Sequence, residues 1–183
     1  DDLSRGLGDV YKRQILIGLI LSFPLLCRGL YLFMESGLLE REKRAIKKLF
    51  ITVSLVIPIA IISIIYMTPK AASIAVLSDE MEGVEAMIDP VSIAKFSLSA
   101  SWIFTIMITL ICILTTTRIL IPDIEHNTTI RMRFHLIFGA LLIVAMADNF
   151  DGLRAVIIFG LAILSEGASK RISNSFHTNK VRE

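Results

Sequence analysis

Apolar residues come in blocks along this chain rather than at amphipathic spacing. The blocks fall at 15–34, 49–67, 96–121, 130–147 and 153–165. A helix needs about 20 mostly apolar residues to cross a bilayer. The first three blocks meet that length. The last two approach it only if their polar ends are counted, with Arg131 and Arg133 snorkelling at one end of the fourth. The pattern predicts an all-α fold: a polytopic transmembrane helical bundle with five visible spans.

The connections between blocks carry the orientation. Arg41, Lys43, Arg44, Lys47 and Lys48 follow the first block, and Lys70 and Lys95 follow the second. Arg118, Arg131 and Arg133 come next, then Arg154 alone, then Lys170, Arg171, Lys180 and Arg182 in the tail. High and low counts alternate along the chain. Cytoplasmic loops carry the excess of Lys and Arg. The expected location is therefore the cell membrane, with the C-terminus cytoplasmic and residues 166–183 forming a cytoplasmic basic tail.

The stretch ahead of the first block, "SRGLGDVYKRQ", fits nothing after it. Its eleven residues, 4–14, can be encoded by a string that resembles a transposon-end adaptor used to prepare sequencing libraries. Residues 1–14 are therefore expected to be a sequencing-adaptor translation rather than native protein. The transmembrane domain is then 15–165, in an N-terminally truncated chain.

Composition agrees with lipid as the solvent. The chain is 54% hydrophobic, against roughly 45–50% for a soluble domain even with glycine counted. A net charge of +2 gives no reason to expect nucleic acid as a partner. Cys27 and Cys112 both sit inside apolar blocks and read as small buried residues.

Several groups are candidates for chemistry. Ser97, Ser101, Thr105 and Thr109 recur every four residues and form one hydroxyl stripe on the third helix. Small residues let membrane helices approach closely, and their hydroxyls can bond across the interface. A polar path for a solute is the alternative. Arg28 stands within the first span, either snorkelling or paired with a carboxylate such as Asp148 or Glu166. The basic run Arg41, Lys43, Arg44, Lys47 and Lys48 is flanked by apolar residues at near-helical spacing. It reads either as a lipid-headgroup-binding surface helix or as a solvated turn. Pro58 leaves the Ser54 carbonyl without its helical donor and predicts a kink.

"ADNFDGLRA", 147–155, is the sharpest string. Asp148 and Asp151 stand three residues apart, as carboxylates that share a divalent metal often do. The string resembles the opening of the CDP-alcohol phosphatidyltransferase motif through Asp148, Asp151, Gly152 and Ala155. That resemblance implies a membrane lipid-headgroup phosphotransferase with a metal site. The rest of the motif departs: Val156 replaces an arginine, and Ser165, Ser169 and Ser173 replace a glycine and two aspartates. Read from the residues alone, the string is a helix–turn–helix hairpin capped by Asp151, with Arg154 near enough to pair with it, or a partly re-entrant turn.

The expected function is a non-enzymatic transporter-like, sensor-like or accessory-subunit bundle. Its expected partners are the lipid bilayer and other membrane subunits, with no cofactor. The phosphotransferase is the alternative.

Overall fold

The computed structural model describes residues 2–78, 90–121, 124–146 and 152–178. These residues form five helices and, among themselves, no strand. They are α1 (Asp2–Glu35), α2 (Glu40–Ser78), α3 (Pro90–Leu120), α4 (Ile124–Ala145) and α5 (Arg154–Thr178). The all-helical bundle read from the apolar blocks is the fold observed.

Among the described residues, four helices contain segments long and apolar enough to cross a membrane: Gln14–Glu35, Glu42–Ile74, Pro90–Leu120 and Asn127–Ala145. The segment in α2 has 33 residues. At 1.5 Å per residue it spans roughly 50 Å, well beyond the roughly 30 Å of bilayer hydrocarbon. The fifth expected block lies in α5, whose described residues hold no segment of that kind. Its apolar stretch ends at Leu164, after which Glu166, Lys170 and Arg171 enter any longer window.

α3 is the central helix. Half of its membrane segment is buried, against 6% for α4. It packs on α2, α4 and α5, and also touches α1. The core joins α1, α2 and α3 through Leu16, Phe23, Ile46, Ile57, Ile61 and Leu98. α4 and the outer faces of α1 and α2 expose large apolar side chains, among them Leu25, Phe33, Leu55, Ile59, Leu136 and Val144. Such a surface is stable only against lipid or another apolar partner.

The α1–α2 turn is shorter than the sequence suggested, because 40–48 is already helical. Glu40 and Glu42 sit in the first turn of α2, where carboxylates favour the helix dipole. The Leu39 N–H donates to the Glu42 carboxylate at 3.1 Å, half of a capping box. Lys43 pairs with Glu40 at 3.0 Å. Ile46 and Leu49 face the core, so the basic run opens α2 rather than forming a separate surface helix. α2 runs on through Pro58 and Pro69, and α1 through Pro24. Membrane helices tolerate such prolines because neighbours re-satisfy the freed carbonyls.

Candidate functional site

The end of α3, the start of α4 and the second half of α5 meet in one charged junction. Arg118 stands two residues before the end of α3. Its guanidinium donates to the Glu166 carboxylate, and its Nε donates to the Ser169 hydroxyl at 3.1 Å. Arg131 of α4 approaches the same Glu166 oxygen, Oε1, at 3.3 Å. Two guanidiniums therefore share one carboxylate, and the trio carries one net positive charge. Both arginine side chains keep 16% of their surface exposed, and Glu166 keeps 41%.

Serines let α5 come this close. Ser165, Ser169 and Ser173 are all buried. They recur every four residues, so they lie along one face. The Ser165 hydroxyl returns to the Ala162 carbonyl of its own helix at 2.9 Å. Beside the junction, Asn127 closes the α3–α4 connection: its Nδ2 donates to the Ile121 carbonyl at 2.9 Å.

The hydroxyl stripe of α3 is where the sequence put it. Ser97, Ser101 and Thr105 are buried, and Thr109 is half-buried. Their hydroxyls do not bond across the interface. Each donates to the carbonyl four residues back, at 3.0 Å from Ser97 and 2.8 Å from the others. This back-bonding satisfies the hydroxyl inside its own helix. The stripe brings small size to the packing of α3 against its neighbours.

Arg28 and Lys47 line a groove of about 430 Å³ between α1 and α2. Arg44 and Lys48 are also exposed, and Lys43 is engaged by Glu40. The side chain of Arg41 lies outside the described residues, as do Asp148 and Asp151 altogether. Glu166, one partner considered for Arg28, is taken by Arg118 and Arg131 instead. Among the described residues no group of three His, Cys, Asp or Glu side chains is placed to hold a metal.

The junction has a sequence signal that the apolar blocks obscured. The spacing of Ser165, Ser169 and Ser173 repeats the small-residue stripe of α3, two helices later. Glu166 beside it is an acid at the end of an apolar run, with arginines at the ends of two others.

These features define a polytopic α-helical membrane protein whose helices are held together by small-residue faces and an ionic junction at one end. A model of the family described as Sec-independent protein translocase protein (TatC) matches residues 10–160. The chain belongs to that family. The match begins at Val10, inside the polar opening stretch. Searches of curated proteins and of solved structures returned no match. The nine-residue resemblance to phosphatidyltransferases finds no support beside a family match that covers most of the chain.

Proposed function

We propose that this chain is the multispan membrane component of a Sec-independent protein translocase, working beside other membrane subunits of that system. The family match over residues 10–160 carries the reading. The chain acts as a scaffold within the bilayer, and the apolar outer faces of α1, α2 and α4 offer surfaces for lipid and for neighbouring subunits.

Charge and geometry support one orientation. The basic run at the start of α2 puts the α1–α2 turn in the cytoplasm. α3 runs back toward the same side, so Arg118 lies near that end. The Arg118–Glu166 pair draws the second half of α5 to the end where α3 finishes. The charged junction and the C-terminal tail therefore share the cytoplasmic face with the turn.

Export tests the reading. Cells that lack their own component of this kind receive this chain together with the other subunits of the system, and export of a folded reporter is measured with the Sec route blocked. Export that depends on the chain supports the proposal. A chain that inserts stably yet never restores export refutes it.

A further inference from the structure

We propose that the α1–α2 groove holds an anionic glycerophospholipid, with Arg28 and Lys47 gripping the phosphate and the apolar walls taking the upper part of an acyl chain. The inference rests on membrane insertion alone and does not depend on the translocase role.

Matched depth is the first observation. Arg28 stands seven residues before Glu35, the end of α1, and Lys47 stands seven residues after Glu40, the start of α2. At 1.5 Å per residue each is roughly 10 Å from the turn. The two cations therefore face one groove from opposite helices at the same level. The groove between them has a volume of about 430 Å³. Its apolar wall includes Leu32, Ile51 and Leu55, all exposed on the outside of the bundle.

Charge is the second. No Asp or Glu among the described residues lines the groove. Among those residues neither Arg28 nor Lys47 has an ion pair or hydrogen bond. Tyr31, another lining residue, donates its hydroxyl to the Glu35 carboxylate at 3.4 Å. Two cations facing the acyl region without a protein counter-charge are costly. A lipid phosphate is the anion available at that depth. It pairs with a guanidinium in a geometry an ammonium on the opposite wall can complete. A zwitterionic headgroup brings its own ammonium into a site that already holds two cations, so a net anionic lipid fits better.

Brominated lipids test this in the full chain reconstituted in vesicles. Trp102 is the only tryptophan, so W102F provides a silent background, and L32W places a reporter in the groove. Brominated phosphatidylglycerol should quench it with an association constant about fivefold or more above that of brominated phosphatidylcholine at equal mole fraction, since one Lys or Arg near an anionic surface is worth about that factor. R28Q/K47Q should bring the ratio close to one, whereas K170Q/R171Q, two exposed cations on α5, should leave it unchanged. A second reporter, L141W on the exposed face of α4, covers the case in which R28Q/K47Q does not fold: the ratio at residue 32 must exceed that at 141. Equal quenching by both lipids at residue 32 overturns the proposal. So does a ratio that survives R28Q/K47Q, or one that falls equally in K170Q/R171Q. Quenching by neither lipid means a protein segment covers the groove, and overturns it as well.

Discussion

Replacing Glu166 with glutamine should loosen the end of the bundle. The substitution keeps size and shape but removes the one negative charge shared by Arg118 and Arg131. Two like charges at a separation of about 5 Å repel by roughly 3 kcal/mol at an effective dielectric of about 20. Glu166 is 41% exposed, so water and salt screen much of this. The expected net loss is about 1–2 kcal/mol, between the values for exposed and buried pairs. For a chain of this size that corresponds to a Tm lower by roughly 2–8 °C. The chain carries its own assay, because Cys27 and Cys112 are free and buried. A thiol-reactive dye in detergent therefore reports unfolding. R131Q removes one of the two competing arginines and leaves the Arg118–Glu166 pair, so it should cost less, about 0–1 kcal/mol. The double variant E166Q/R131Q no longer holds two repelling cations and should cost less than the sum of the singles. Wild-type Tm in E166Q, or strict additivity in the cycle, refutes the shared-carboxylate account.

Other substitutions probe the packing. S101A should be near neutral in the same dye assay, because the Ser101 hydroxyl bonds only its own helix. S101L should cost about 1–3 kcal/mol by overpacking a fully buried position. N127A removes the Nδ2 bond to the Ile121 carbonyl and should cost about 0.5–1.5 kcal/mol, read as a lower Tm. In the folded protein a small maleimide should leave both cysteines unmodified, and mass spectrometry should find two adducts only after denaturation, since each thiol is buried.

The sequence was most legible where lipid imposes the strictest rule. A bilayer demands long apolar helices, so the blocks at 15–34, 49–67 and 96–121 mapped directly onto α1, α2 and α3. Helix ends were less legible, because charged residues leave a lipid-facing run without ending the helix. The basic start of α2 and the polar half of α5 show this: both are helical, with Ile46 and Ser169 buried among charges. The end of the fifth apolar block was hard to place for the same reason, since the helix continues through Glu166 but its apolar run does not. The α3 stripe could be read from its spacing, but the direction of its hydroxyl bonds could not, because back-bonding and cross-helix bonding share one sequence pattern. The ionic junction was least legible. Arg118, Arg131 and Glu166 are far apart in the chain, and only the way α5 packs on α3 brings them together.

The central claim is a membrane-spanning translocase component with its charged end in the cytoplasm, and accessibility of single cysteines tests it most directly. In a background with Cys27 and Cys112 changed to serine, G37C marks the α1–α2 turn and N149C marks the connection between α4 and α5. Intact cells are treated with a membrane-impermeant maleimide. The account predicts labelling of N149C from outside and of G37C only after the membrane is opened. The reverse pattern, or labelling of both from outside, contradicts it.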